Sequence, residues 1–218
     1  MRTIISNDKG LDIQADGDGF VVAGRDFRNA VFEDRWDDLI AFIDQGTGPA
    51  ALTYEGYRDT GYFMRFFRRN QDDNIFMTYQ MPHTWDNTTS IRPHMHLIPM
   101  ASGSGDVKMD YVYSWSIVGS GTLPAAAGWI SGSVTASYTP ADQYVQRVMS
   151  FGTIVPPANA GDSSILVFKV ERPGSSDAAD TYQTNKTGGT TSANVGVLFF
   201  DLHYQKIKAG SVTEHPEG

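Results

Sequence analysis

Cysteine is absent from the 218-residue chain, which excludes disulfides and every thiolate-ligated metal site. Stability must therefore come from packing or assembly. Long apolar runs are missing as well. None approaches the roughly 20 residues of a membrane-spanning helix, and Met1-Arg2-Thr3-Ile4-Ile5-Ser6-Asn7-Asp8 holds too short an apolar stretch for a secretory signal. The expectation is a chain made in the cytoplasm with no membrane partner. Basic charge is scarce: 17 Lys and Arg stand against 25 acidic residues, a net charge of −8, which argues against binding along a phosphate backbone. The one basic run, Arg65-Phe66-Phe67-Arg68-Arg69, interleaves cations with aromatics as nucleic-acid contacts do. Asp72 and Asp73 follow at once, so it reads as a strand with inward phenylalanines, and no nucleic-acid partner is expected. Catalytic templates are lacking too. There is no Gly-x-Ser-x-Gly elbow, and Lys186-Thr187-Gly188-Gly189 has neither the strand before it nor the helix after it that a phosphate loop needs. The expectation is a protein that is not an enzyme.

What is present is β material. Forty per cent of the residues are hydrophobic and 12% aromatic, and 22 Gly and 10 Pro punctuate the whole length. From residue 62 onward apolar runs recur at 62–67, 75–81, 91–99, 107–118, 129–138, 144–152, 165–171 and 193–208. About eight evenly spaced strands predict an all-β fold, a jelly roll or two-sheet antiparallel sandwich. Two weaker strands at 11–14 and 20–23 flank Asp16-Gly17-Asp18-Gly19, a turn signal that predicts a hairpin. Residues 34–45 predict the one short helix: Trp36, Leu39, Ile40 and Ile43 recur at spacings of three and four, with Asp34, Asp37 and Asp38 at the start and Gly46 as a stop. The organisation that follows is an N-terminal arm or hairpin over 1–33, a jelly-roll domain over 34–211 and a tail over 212–218. The Gly, Ser, Thr and Asp-rich stretch 173–192 reads as a flexible surface excursion.

Five histidines occur, and His94-Met95-His96 is the conspicuous pair. On a strand, residues i and i+2 share a face, so the two imidazoles offer a chelate for a divalent metal. Asp201 and His203 share a face in the same way, and His94, His96 and His203 would meet if their strands were neighbours. The His-x-His pair resembles that of cupins, which are metal-binding jelly rolls. The chain departs from cupins in having no Glu shortly after the pair and no glycine-bracketed second motif. A metal-dependent cupin-like enzyme is one reading; a metal shared across a trimer axis is another; structural histidines in a polar core or interface are the third. Tyr111, Tyr113 and Trp115 alternate on one strand and read either as a core layer or as a sugar platform, and Tyr57, Trp85 and Trp129 are candidate exposed aromatics for a glycan.

Three stretches carry a family resemblance: Trp36-Asp37-Asp38-Leu39; Met81-Pro82-His83-Thr84-Trp85 followed by Ile91-Arg92-Pro93-His94-Met95-His96-Leu97-Ile98-Pro99; and Leu198-Phe199-Phe200-Asp201-Leu202-His203-Tyr204-Gln205 with Gly210-Ser211 after it. In this order they resemble a group of small β-rich proteins encoded by tailed bacteriophages and prophages. The resemblance implies a virion component made in the host cytoplasm. It would act as a homotrimer in capsid decoration, cementing, a collar or a tail accessory, with the major capsid protein or portal and tail proteins as partners. A carbohydrate- or receptor-binding fibre or spike head is the alternative.

Overall fold

The computed structural model describes residues 2–6, 12–16, 19–23, 35–41, 43–45, 53–69, 72–119, 128–173, 177–182 and 194–206, with backbone alone for 2–6, 12–16, 19–23, 35, 43–45 and 53–55. The strands are β1 (Arg2–Ser6), β2 (Asp12–Asp16), β3 (Gly19–Ala23), β4 (Arg35–Ile40), β5 (Ile43–Gln45), β6 (Thr53–Gly56), β7 (Phe63–Phe67), β8 (Asp73–Gln80), β9 (Arg92–Pro99), β10 (Gly105–Ser116), β11 (Ile130–Tyr138), β12 (Arg147–Ser150), β13 (Ile165–Arg172) and β14 (Val195–Lys206). A 3-10 turn spans Pro140–Asp142, and no α-helix occurs among the described residues.

The strands from β7 onward are a long hairpin rolled on itself. β7 pairs with β14, β8 with β13, β9 with β12 and β10 with β11, all antiparallel. Two further pairings, β9 with β14 and β10 with β13, knit the roll into two sheets. The five-stranded sheet runs β11-β10-β13-β8-β5, and the six-stranded sheet runs β12-β9-β14-β7-β6 with β4 also paired to β14. This is the strand order of a jelly roll, so the all-β sandwich expected from the sequence is present. β1, β2 and β3 form a separate three-stranded sheet, with Asp16 opposite Gly19 where a hairpin was expected.

Alternation explains which side chains fill the roll. On β13, Leu166, Phe168, Val170 and Arg172 point inward and the residues between them do not. Ile75, Met77 and Tyr79 of β8 face Met95 and Leu97 of β9 and Phe200 and Leu202 of β14 in one continuous core. Phe168 is its hub: Tyr111 stacks on it at 5.3 Å, and Phe151 and Phe200 meet it at 5.7 and 5.1 Å. Tyr111, Tyr113 and Trp115 thus line the core. At Gly196 of β14 a Cβ would collide with Met64 and Phe66, and the missing side chain lets those two lie across the sheet's other face.

The helix expected over residues 34–45 is not there. The segment forms β4 on the six-stranded sheet and β5 on the five-stranded sheet. β7 covers Val195–Val197 of β14 and β4 covers Asp201–Lys206, so the two share one edge of that long strand. Unpaired backbone on β14 and on β8 outweighs the helical spacing of Trp36, Leu39 and Ile40. The expected flexible excursion also needs correction where it is described. Residues 177–182 are anchored, with Asp180 and Tyr182 buried. The tail over 212–218, Gly210-Ser211, Lys186-Thr187-Gly188-Gly189 and the rest of 173–192 lie outside the described residues.

Candidate functional site

The site lies on the outer face of the six-stranded sheet. β9 and β14 are neighbours, with Asp201 opposite His94 and His203 opposite Arg92. A bulge at Leu198 puts Phe199 opposite His96. β4 continues the face, with Asp38 opposite His203 and Ile40 opposite Asp201. On the other side β12 sets Ser150 opposite His94 and Val148 opposite His96. The period of two therefore turns Arg92, His94, His96, Asp201, His203 and Asp38 to one side.

These side chains floor a depression of ≈ 480 Å³ that Val148 and Ser150 also line. His94 and Asp201 are 7% and 8% exposed, unusual for polar groups on an outer sheet face. The rim is apolar and open: Trp36, Phe199 and Val148 are 41%, 50% and 57% exposed. The Arg92 guanidinium lies 4.4 Å over the Trp36 ring.

Within the floor, His94 Nε2 and His96 Nε2 are 3.1 Å apart, and Asp201 Oδ2 lies 3.4 Å from the first and 3.2 Å from the second. The Gln146 side-chain amide sits 2.7 Å from His96 Nδ1. Asp201 Oδ1 is buried and has no hydrogen-bond partner. Burial, then the charge of His203, holds the His94 imidazole below its ordinary pKa, which keeps a lone pair free near neutral pH. On the far side of the sheet, burial and the Asp201 charge push the Tyr79 hydroxyl well above the ordinary tyrosine range, so it stays a donor to the Phe200 carbonyl at 3.1 Å.

His94, His96 and Asp201 thus have donor atoms close enough to share one ion. His203 shares the depression, its ring 4.2 Å from that of His94, but its Nε2 is bonded to Asp38 Oδ1 at 2.7 Å. Asp38 was not singled out as a site residue by the sequence, where Asp37 and Asp38 read as the acidic start of the expected helix. Trp36 and Phe199 were missed too, and alternation along β4 and β14 was the available signal.

The other sequence candidates go elsewhere. Trp85 is buried and stacks on Trp115 at 5.9 Å, so it is a core residue and not an exposed aromatic. Trp129 meets Phe76 edge-on, and Tyr57 meets Tyr144. In the basic run, Phe66 and Phe67 are buried, Arg68 bonds Asp73, and Arg69 bonds Asp180. A second depression of ≈ 390 Å³ on the five-stranded sheet is lined by Ser131, Gly132, Ser133, Lys169 and Glu171, and its Lys169 and Glu171 neutralise each other.

No family model matches the chain, and no curated protein matches it. Some solved structures are similar to the chain at low identity. One is an arabinose-bound α-L-arabinofuranosidase, at 11% identity and a TM-score of 0.35, over 81% of this chain and 23% of that one. Another is a C-terminal family 22 carbohydrate-binding module of a Clostridium thermocellum xylanase, at 12% and 0.35, over 87% and 100%. A third is the enzymatically active domain of a tailspike protein of bacteriophage CBA120, at 5% and 0.32, over 79% and 19%. The chain spans about a quarter of the arabinofuranosidase, and no residue role is transferred from any of the three.

Proposed function

We propose that the chain is a non-catalytic recognition module of a tailed-bacteriophage particle, and that the outer face over β9, β14 and β4 takes a carbohydrate or receptor group. One observation carries this reading. The three stretches that resemble phage-encoded proteins lie far apart in sequence, yet they supply three adjacent strands and most of the outward side chains that line a single depression. A sandwich core needs nothing from those outward residues, so a half-buried polar floor beneath exposed aromatic rings is a feature of binding. The volume falls within the roughly 300–1,000 Å³ of small-ligand sites. Carboxylate, imidazole and Ser150 hydroxyl groups suit sugar hydroxyls, and the exposed rings of Trp36 and Phe199 suit the C–H face of a sugar ring.

A clamp role in the particle, as capsid cement or a collar, is the second reading. It is favoured by the N-terminal sheet, whose described strands hydrogen-bond only to one another. In either case the arm over 1–33 would hold the particle's portal, tail or capsid protein, and the assembly would be a homotrimer.

The test is binding of the purified chain to a glycan array and to host envelope polysaccharide, with a Trp36→Ala, Phe199→Ala variant beside it. Both side chains are exposed, so the variant keeps its thermal midpoint, and its affinity falls about tenfold or more. Silence on every glycan and envelope fraction, or a variant that binds as well as the parent, would overturn the recognition surface.

A further inference from the structure

We propose that His94, His96 and Asp201 hold one divalent first-row transition-metal ion per chain. The inference rests on donor geometry alone and does not depend on the ligand or particle read above.

Ligand atoms about 2.1 Å from a metal stand about 3.0 Å apart at a right angle and about 3.4 Å apart at the tetrahedral angle. The three separations here, 3.1, 3.4 and 3.2 Å, span that interval. Hydrogen bonding explains the trio less well. It places two imidazole nitrogens against each other, where one must act as donor.

The surroundings are those of a metal site. His96 has a partner beyond the trio, the Gln146 side chain at Nδ1. With the Gln146 amide turned so that Oε1 accepts from Nδ1–H, His96 Nε2 carries its lone pair inward. The donors ride on two directly paired strands, so their spacing is fixed by ladder hydrogen bonds.

Two imidazoles and one carboxylate suit zinc(II) or iron(II) over calcium or magnesium, which prefer all-oxygen sites. Three protein donors leave positions open toward the depression, where Ser150 and the His203–Asp38 pair stand. A water or an oxygen of a bound ligand fits there.

The experiment uses the full chain, stripped with EDTA and titrated with zinc chloride by calorimetry, and with cobalt chloride by absorption spectroscopy. One zinc per chain at micromolar affinity or tighter is expected, as is a cobalt d–d band that zinc abolishes. A His94→Ala, His96→Ala variant loses both signals, and Asp201→Asn weakens zinc binding. Gln146→Leu weakens it roughly 10–100-fold, as loss of a supporting hydrogen bond does. The cobalt band of the unmutated chain decides the matter even if a variant folds poorly. Absence of zinc binding and of a cobalt band overturns the site, as does binding that survives the double histidine variant. One ion per three chains overturns the in-chain triad in favour of a shared axis.

Discussion

Arg172 and Asp180 have no exposed side-chain surface, and they meet through two bonds, Nε to Oδ2 at 2.7 Å and a second guanidinium nitrogen to Oδ1 at 3.0 Å. Arg172 also donates to the Phe67 carbonyl, and Arg69 lies 3.3 Å from the same carboxylate. Two guanidiniums thus depend on one buried acid. Removing it with Asp180→Ala leaves Arg172 charged in the core, and should cost about 3–5 kcal/mol in denaturant unfolding. An Arg172→Leu, Asp180→Leu variant should recover much of that loss, because an apolar pair asks for no desolvated charge. A loss below 1 kcal/mol would mean that water reaches the pair. None of this was legible in the sequence. Asp180 sits in a Gly, Ser and Thr-rich stretch with no periodicity to mark it as buried. His94 and His96 were legible because a His-x-His run on a strand has only one face to share, and Asp201 and His203 repeat the pattern. What the sequence withheld was the β9–β14 pairing, which is non-local, and with it the role of Asp38. Trp85 misled for a related reason: within a polar loop a lone Trp has no alternation to say which way it turns.

β4 shows where element-level reading fails. Its residues satisfy a helical stripe at spacings of three and four, yet as a strand Asp37 and Leu39 turn inward while Trp36, Asp38 and Ile40 turn outward. Tyr204 and Lys206 of β14 both reach the Asp37 carboxylate, at 3.2 and 2.8 Å, and Leu39 packs on the core. Leu39→Asp should peel β4 from β14 at a cost of about 1–3 kcal/mol. Hydrogen exchange should then lose protection over 201–206 while β8 and β13 keep theirs. Equal loss in all strands would show that β4 is not a separable element. The eight later runs were legible because Gly and Pro bracket short apolar segments rich in β-branched and aromatic residues, a signal that needs no partner to be identified. β6, at four residues, is too short to alternate visibly, and β4 and β5 were chosen by the open edges of β14 and β8, which no local window contains.

At the scale of the molecule, the pairings widen outward from the β10–β11 hairpin to the outermost pair, β7 with β14, which closes the roll. The described N-terminal strands take no part: β1, β2 and β3 hydrogen-bond among themselves. Removing residues 1–33 should therefore leave the core, the Arg172–Asp180 pair and the outer face intact. The thermal midpoint should move by less than about 3 °C, the shift that 1 kcal/mol produces in a chain of this size. Zinc titration of the truncated chain should match that of the full one, since no metal donor lies before β9. If the arm is what joins the module to a particle, the truncated chain should also fail to co-sediment with phage heads or tails while keeping its glycan affinity. A loss of cooperative unfolding on truncation would place the N-terminal sheet inside the folding unit and move the boundary at residue 33. Retained co-sedimentation would instead shift particle attachment onto the sandwich itself, where the exposed Trp36, Ile40, Val148 and Phe199 around the depression would be the first surface to test by substitution.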